Sequence, residues 1–248
     1  MRNIALRLAY DGTRYHGWQL QQNARTVAGA VEAAVASVCG GAPRVTGCGR
    51  TDAGVHARVY CANFKTDCAI PSARIPYALN SRLPPDISVS SAFDVGDGFN
   101  AVTSCVRKEY TYEIYCSRIH DPFRAKRAYR YPMAPDIDAM RAASQCFLGT
   151  RDFAAMRSAG SRTKTSVRTV FYYEIESQGD ELRFRVCADG FLYNMARAMA
   201  GTLLYVSEGK ISARELPGLL ASGDRRRAGP TAPACGLYLT RLWYNFDE

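Results

Sequence analysis

Hydrophobic and polar residues alternate over several short stretches of this chain, which is the period of a half-buried β-strand. The first such stretch covers residues 4–10. From Thr26 the apolar period lengthens to that of a helix, which Gly40-Gly41 ends. The other elements predicted for the first half are strands near Val45, over 58–64 and over 87–93, and a helix over 72–80. The first half therefore reads β-α-β-β-α-β.

The second half repeats this order. Its predicted elements are strands over 108–116, 167–175, 181–187 and 236–246, an extra strand over 126–131, helices over 137–148 and 192–207, and a short helix after the capping box Ser212-x-x-Glu215. The repeat predicts an α+β fold of two ferredoxin-like halves, with largely antiparallel sheets and helices on one face. We place the halves at residues 1–104 and 105–248, with an active-site cleft between them.

The charge balance indicates the kind of partner. The 248 residues include 32 Lys and Arg against 23 Asp and Glu, a net charge of +9, which suits a polyanion such as nucleic acid. Nine cysteines are scattered singly, so we expect reduced, mostly buried thiols and a cytoplasmic protein. The most apolar stretch, 191–206, is too short to span a membrane.

Several kinds of site have no signature in this sequence. Three well-separated histidines make a histidine metal site unfavourable, and no phosphate-binding P-loop is present. The His-x-Glu and Pro-Cys-x-x-Cys signature of zinc nucleobase deaminases is also missing. An enzyme of this kind acting on RNA should therefore need no metal, cofactor or energy source, and isomerisation is such a reaction.

One acid stands out, because it lies between glycines in the segment Gly49-Arg50-Thr51-Asp52-Ala53-Gly54-Val55-His56-Ala57. Glycines allow a sharp turn and a close approach to a ligand. Arg50 favours the ionised carboxylate, so Asp52 is a candidate nucleophile or base. The alternative is an ordinary surface turn in which Asp52 caps the next element.

Two further residues are candidates for the same site. Arg197 lies within an apolar helix, where its guanidinium either reaches water or pairs with an acid across the cleft. Asp52 is the acid that we select. Tyr110 and Tyr112 share one face of a strand; we expect Tyr112 in the core, and Tyr110, close to Arg107, can instead stack on a nucleotide base.

Basic residues cluster in three places, at 124–130, at 157–168 and at 225–227. Solvated surface is the simplest interpretation of each cluster. Together they carry enough charge to follow the phosphates of a folded RNA without specifying its sequence. The candidate RNA contacts in the middle cluster are Arg157, Arg162, Lys164 and Arg168.

Over nearly its whole length the chain resembles the TruA-type tRNA pseudouridine synthases. The segments that carry the resemblance are Tyr10-Asp11-Gly12-Thr13-x-Tyr15-x-Gly17-Trp18-Gln19-x-Gln21, the Asp52 segment, Ala78-Leu79-Asn80 with Leu83-Pro84-x-Asp86-Ile87, Tyr110-x-Tyr112, Gly190-Phe191-Leu192-x-x-Met195-x-Arg197, and Ala232-Pro233-x-x-Gly236-Leu237. The Asp52 segment is fairly specific for this family by itself, and each of the other segments alone is a weak signal. The occurrence of all of them in the same order along the chain is a strong signal.

The resemblance implies a homodimeric isomerase that converts uridine to pseudouridine in the tRNA anticodon stem-loop, at tRNA positions 38–40. It implies that Asp52 acts covalently on a flipped-out nucleotide, at the base or at the sugar. Arg197 would keep Asp52 charged, Tyr110 would stack on the uracil and take part in proton transfer, and Arg50 would contact RNA or help displace the nucleotide.

The chain departs from the family pattern in two segments. It has Phe99-Asn100-Ala101-Val102 where the family often has Phe-His-Ala-Arg, and Arg151 where a histidine is frequent. Neither change replaces a residue assigned to chemistry, although both alter expected RNA contacts.

Two alternatives to this function stay open. One is a non-catalytic RNA-binding protein on the same scaffold, which would not need Asp52, Tyr110 and Arg197 together. The other is a synthase that acts on other tRNA positions or on other RNAs.

Overall fold

The computed structural model describes residues 1–160 and 163–245, which contain ten strands and five α-helices. The chain forms two compact units. Unit 1 comprises residues 1–106 and the segment from Leu239 onward, and unit 2 comprises residues 107–238. Mixed α+β structure with mostly antiparallel strand pairing confirms the predicted fold class. The assignment of 1–104 and 105–248 as separate domains stays a prediction.

Unit 1 has the element order that the hydrophobic pattern predicts. Its elements are β1 (Arg2–Tyr10), α1 (Val27–Cys39), β2 (Thr46–Gly47), β3 (His56–Thr66), α2 (Ile75–Asn80) and β4 (Ile87–Val95). β1 pairs antiparallel with β3 on one side and β4 on the other, and β2 pairs with β3. The Thr26 side chain caps α1 by accepting from the Gly29 amide, and Gly40 ends the helix at a φ of 76°.

Unit 2 is built around antiparallel strand pairs of its own. Its elements are β5 (Cys105–Cys116), β6 (Tyr129–Tyr131), α3 (Ile137–Ser144), β7 (Gly149–Asp152), β8 (Val167–Gln178), β9 (Glu181–Ala188), α4 (Met195–Ser207) and α5 (Leu216–Ser222). The last strand, β10 (Leu237–Tyr244), begins in unit 2 and lies mostly in unit 1. The strands pair in the order β5-β9-β8-β7, and β6 is parallel to β5. The predicted hairpin of β8 and β9 is confirmed.

Several predicted boundaries differ from the structure by a few residues: for example, α2 begins at Ile75 rather than at residue 72, and α3 ends at Ser144 rather than at residue 148. Three local differences have a clear physical reason. α4 begins at Met195 rather than at residue 192, because Asn194 adopts a left-handed conformation, with φ of 62°, that no helix interior accepts. β7 was not predicted because all four of its residues are exposed, so no alternation marks it. The capping box forms only in part: Glu215 accepts from the Ser212 amide, and α5 begins one residue later.

The environment of the cysteines also differs from the expectation. Cys48 and Cys187 are buried, whereas the other seven cysteines are half-buried, so the prediction of mostly buried thiols is wrong. Within residues 1–160 and 163–245, no His, Cys, Asp and Glu side chains form a group of three or more that could hold a metal ion. In the same ranges no helix is both long and apolar enough to cross a membrane.

α4 packs against the chain segment that precedes β10 through a glycine. A Cβ atom at Gly201 would lie 1.8 Å from the carbonyl oxygen of Pro230, and one at Gly229 would lie 2.4 Å from the carbonyl oxygen of Gly201. No side chain fits at either position, so the two backbones are in direct contact. This contact fixes the position of residues 229–232 along the helix.

We predict that Gly201→Ala lowers the free energy of unfolding by about 1–3 kcal/mol, the usual cost of overpacking. Gly218→Ala is the matched control, because Gly218 lies in helix α5 and a Cβ atom there would meet no neighbouring atom within 4 Å. That control should be neutral or stabilising by up to about 1 kcal/mol. Urea denaturation of both variants checks this, and equal stability of the two would contradict the close backbone contact.

Candidate active site

The Asp52 segment forms a tight loop between β2 and β3 in unit 1. Thr51 is buried, Asp52 is half-buried and Arg50 is exposed, so the loop combines an inward side chain with two that reach solvent. The Val55 amide donates to the Asp52 carbonyl at 3.2 Å, and Gly54 has a φ of 77°. Asp52 therefore lies on a closed turn that needs a glycine at its far side.

The opening segment of the chain packs directly on this loop. The Trp18 amide donates to the Thr51 carbonyl, and the Gly54 amide donates to the Tyr15 carbonyl, both at 3.2 Å. A Cβ atom at Gly17 would lie 2.2 Å from the Thr51 carbonyl oxygen, and one at Gly12 would lie 1.9 Å from that of Val55. The glycines of the opening motif are thus required because backbone contacts backbone there.

His56 ties the end of the loop to the end of β1. Its side chain is 2% exposed, and its Nδ1 accepts from the Gly12 amide at 3.1 Å. The same Nδ1 lies 3.1 Å from Oδ1 of Asp11. The histidine of the loop motif therefore connects the loop to the start of the opening segment.

A second motif joins the opening segment through Tyr15. The Tyr15 hydroxyl donates to Oδ1 of Asp86 at 2.5 Å, and Arg25 donates to that hydroxyl at 3.1 Å with its guanidinium 4.7 Å from the ring centroid. Burial and the Asp86 carboxylate raise the pKa of Tyr15 to about 12. The phenol therefore stays protonated near neutral pH and connects two of the segments that carried the resemblance.

In unit 2, Tyr110 lies on β5 and is 8% exposed. The Phe191 ring meets it edge-on, with the centroids 4.9 Å apart and an interplanar angle of 84°. Tyr112 is 2% exposed and donates its hydroxyl to the Pro233 carbonyl at 2.8 Å, so it is a core residue as predicted. Burial raises the pKa of Tyr112 well above its ordinary value.

Arg197 is half-buried in the first turn of α4 and is held by oxygens of unit 2. Its Nε donates to the Ala232 carbonyl at 2.7 Å, and its Nη1 donates to Oδ1 of Asn194 at 2.7 Å. The Ala232 amide donates back to the Arg197 carbonyl at 3.2 Å. The guanidinium therefore has a fixed direction, and its pairing with Asp52 stays a prediction.

Sequence reasoning assigned no role to the residues that position this arginine. Asn194 lies three residues before Arg197, a spacing that places both on one side of a helical turn and could have revealed it. Arg225 donates to the Gly229 carbonyl at 2.7 Å and to Oγ1 of Thr231 at 2.9 Å, which fixes the segment ending at Ala232. No sequence signal separates Arg225 from the two arginines that follow it.

The predicted RNA-contact residues differ in exposure. Lys164 is exposed, Arg157 and Arg168 are half-buried, and Arg162 lies outside the described residues. A Cβ atom at Gly190 would lie 3.3 Å from Nε of Arg168. The Ser158 amide donates to the Tyr193 carbonyl at 3.1 Å, which brings Arg157 beside the same segment. Arg157 and Arg168 therefore flank the motif that carries Arg197.

The two departures from the family pattern have local structural roles. Oδ1 of Asn100 accepts from the amides of Val102 and Thr103, at 2.9 Å and 3.3 Å, and so closes a turn. Nε of Arg151 donates to the Leu148 carbonyl at 2.8 Å. Each side chain thus contacts its own neighbourhood in the chain.

Comparisons with a family model and with curated relatives point to the same family. A family model described as tRNA pseudouridine synthase matches residues 8–103 and 143–245. A tRNA pseudouridine synthase A from Acetivibrio thermocellus is 45% identical over 98% of this chain and 100% of that protein. Another, from Halalkalibacterium halodurans, is 44% identical over 96% of this chain and 90% of that protein. A solved Cbf5-Nop10-Gar1 complex is 15% identical, with a TM-score of 0.37 over 86% of this chain and 44% of that one, a similarity too weak to support a conclusion.

The chain belongs to the tRNA pseudouridine synthase family, whose members are isomerases. The enzyme interpretation is therefore confirmed over the non-catalytic alternative. The loop that carries Asp52, the opening segment that packs on it and the helix that carries Arg197 all lie within the matched residues.

Proposed function

We propose that this enzyme converts uridine to pseudouridine in the anticodon stem-loop of tRNA, at positions 38–40, with Asp52 as the catalytic nucleophile. The observation that carries the proposal is the setting of Asp52 on a closed, half-buried turn. The peptide groups on both sides of that turn are hydrogen-bonded to the opening segment. Such a turn presents a carboxylate in one direction to a substrate.

The reaction rearranges bonds without net oxidation or reduction. The bond between C1′ of the ribose and N1 of uracil breaks, the base turns, and a bond forms between C1′ and C5. The C5 proton is lost and N1 gains one. Asp52 forms its transient covalent bond with either the base or the sugar in this proposal. Because atoms and electrons balance, no cofactor is required.

Tyr110 and Arg197 complete the proposed catalytic group. Tyr110, whose ring is in edge-on contact with Phe191, would stack on the uracil and take part in the proton transfer from C5. An ordinary phenol titrates near pH ~10, so its role as a base requires local assistance. Arg197 would keep the Asp52 carboxylate ionised, which its fixed guanidinium suits.

RNA binding in this proposal is electrostatic. Arg50 is exposed one residue from Thr51 and would contact the RNA or help displace the flipped nucleotide. Arg157, Arg162, Lys164 and Arg168 would follow the phosphates of the stem. Because phosphate contacts set position without reading sequence, the distance between these contacts and Asp52 would select the target uridines.

We predict that Asp52→Asn lowers single-turnover conversion of tRNA by at least about 10³-fold, the scale expected when a nucleophile is removed. The affinity for tRNA should change by no more than about twofold, since the exposed basic residues remain. Asp97→Asn, at an exposed position in the same unit, is the matched control and should be fully active. Mapping of pseudouridine after incubation provides the measurement.

Arg197→Met belongs in the same experiment and should also be inactive, with the exposed Arg214→Met as its control. Equal modification of tRNA by wild-type enzyme and Asp52→Asn would refute the catalytic assignment. Modification at uridines outside positions 38–40 would leave Asp52 in place but refute the proposed target site.

The proposal includes a homodimer, and one exposed apolar loop of unit 2 favours it. Ile119 and Phe123, between β5 and β6, are 80% and 89% exposed. Arg124 anchors this loop through Asp180 at 2.7 Å and through the ring of Tyr115, with 5.4 Å to the centroid. Two large apolar side chains held outward by an anchored loop suit burial against a second copy.

We predict that Phe123→Asp converts the protein from a dimer to a monomer of 27.3 kDa, because it places a charge in the apolar contact. Light scattering after size-exclusion chromatography measures the mass. Tyr77→Asp is the control, since Tyr77 is 74% exposed on α2 of unit 1 and should not affect the mass. A Phe123→Asp protein that remains dimeric would exclude this loop as the contact.

A cytoplasmic location is the last part of the proposal. Nine cysteines scattered singly, without the paired spacing of a disulfide framework, suit a compartment that keeps thiols reduced.

A further inference from the structure

Three aromatic residues form a buried cluster beneath the Asp52 loop. Tyr10 comes from the end of β1, Trp18 from the opening segment and Tyr60 from β3; they are 4%, 5% and 0% exposed. The Trp18 and Tyr60 rings stack with centroids 4.2 Å apart, and the Tyr10 ring lies 5.5 Å from that of Tyr60. The cluster thus joins three separate parts of unit 1.

Gly47, in β2, leaves room for this stack. A Cβ atom there would lie 2.3 Å from the Tyr60 hydroxyl oxygen and 2.4 Å from the indole ring of Trp18. The rings therefore fill the space directly under the strand that leads into the loop. Because interiors are close-packed, rings confined in this way hold their polar ends in fixed positions.

Each residue of the cluster directs a polar group at the loop. The Tyr10 hydroxyl is hydrogen-bonded to Oγ1 of Thr51 at 2.8 Å, and the Tyr60 hydroxyl donates to the Gly49 carbonyl at 2.5 Å. The backbone amide of Trp18 donates to the Thr51 carbonyl at 3.2 Å. The two loop residues that are held, Gly49 and Thr51, alternate with Arg50 and Asp52.

We infer that Tyr10 and Tyr60 are positioning residues for the pseudouridine reaction, acting through Thr51 and Gly49 to fix the direction of the Asp52 carboxylate. This inference rests on the proposed function of Asp52. Both side chains are buried, and their hydroxyls are hydrogen-bonded to the loop, so the proposed role is exerted through the loop. Each hydroxyl holds a peptide group or a side chain that is at most three residues from Asp52. Loss of that hydroxyl therefore lets the loop shift. A displacement of about 1 Å at a reacting group lowers a rate by up to roughly 100-fold.

Four substitutions separate this role from a general contribution to stability. Tyr10→Phe and Tyr60→Phe each remove one hydroxyl and keep the ring, and Thr51→Val removes the partner of Tyr10 while keeping its shape. Thr51→Ser retains the hydroxyl. Tyr244→Phe is the matched control, because Tyr244 is a buried tyrosine of the same unit, 6% exposed, that donates to the Ala101 carbonyl at 3.0 Å.

The test measures the single-turnover rate constant at saturating enzyme, the dissociation constant for tRNA and the thermal midpoint of every variant. We expect Tyr10→Phe, Tyr60→Phe and Thr51→Val to slow conversion by about 10-fold to 100-fold, with tRNA affinity within about twofold of wild type. Thr51→Ser should recover most of the rate. The double variant Tyr10→Phe/Thr51→Val should be no slower than either single variant, because both remove the same bond.

Wild-type rates for folded Tyr10→Phe and Tyr60→Phe would overturn the inference. An equal loss of rate in the control Tyr244→Phe, at the same thermal midpoint as the other two variants, would also overturn it. If Tyr10→Phe does not fold, the comparison of Thr51→Val with Thr51→Ser decides the same question. Asp52→Asn is measured alongside. An inactive Asp52→Asn beside wild-type Tyr10→Phe refutes only the positioning role, whereas an active Asp52→Asn refutes the proposed nucleophile itself.

Discussion

The arrangement of unit 1 depends on the direct contact between two backbone segments, the opening segment and the Asp52 loop. At Gly12 and Gly17 no side-chain atom would fit between them. A contact of this kind leaves little freedom, because neither segment can move without displacing the other. It explains why an opening segment that carries no catalytic candidate forms part of the family pattern: it is the support on which the loop rests.

Unit 2 uses the same device around its arginine. The glycine contact between α4 and residues 229–230 fixes the position of the following segment along the helix axis. The Ala232 carbonyl is thereby placed where it accepts a hydrogen bond from the Arg197 guanidinium. The left-handed Asn194 supplies a second oxygen. An arginine in an apolar helix is costly unless its donors are satisfied, and here one backbone oxygen and one side-chain oxygen satisfy two of them.

Much of the fold could be predicted because half-buried strands and amphipathic helices leave a periodic pattern. The exceptions are physical. The strand β7 is exposed on all four residues and leaves no pattern, and α4 starts late because a single residue, Asn194, adopts a left-handed conformation. Side-chain hydrogen bonds to backbone carbonyls leave even less trace, which is why Arg225 resembled an ordinary surface arginine.

The residues of the candidate site also fall into two classes: those that the sequence pattern reveals and those that it does not. The catalytic roles of Asp52, Tyr110 and Arg197 stay predictions. Asp52 could be proposed from its flanking glycines, and Tyr110 and Arg197 from the ordered motifs. Tyr60 could not, because an aromatic residue on a strand reads as core, and it is indeed fully buried. Its functional interest lies in one hydroxyl and the carbonyl that accepts from it, a pairing between residues 11 positions apart that no local pattern encodes.

In the proposed mechanism, a fixed loop makes the position of the Asp52 carboxylate matter as much as its charge. Asp52→Glu keeps the charge and advances the carboxylate by one methylene. Single-turnover conversion of tRNA by this variant should fall by at least about 100-fold at unchanged tRNA affinity, because the loop cannot retreat to compensate. A Glu variant that converts tRNA within about threefold of the wild-type rate would contradict a rigidly held nucleophile.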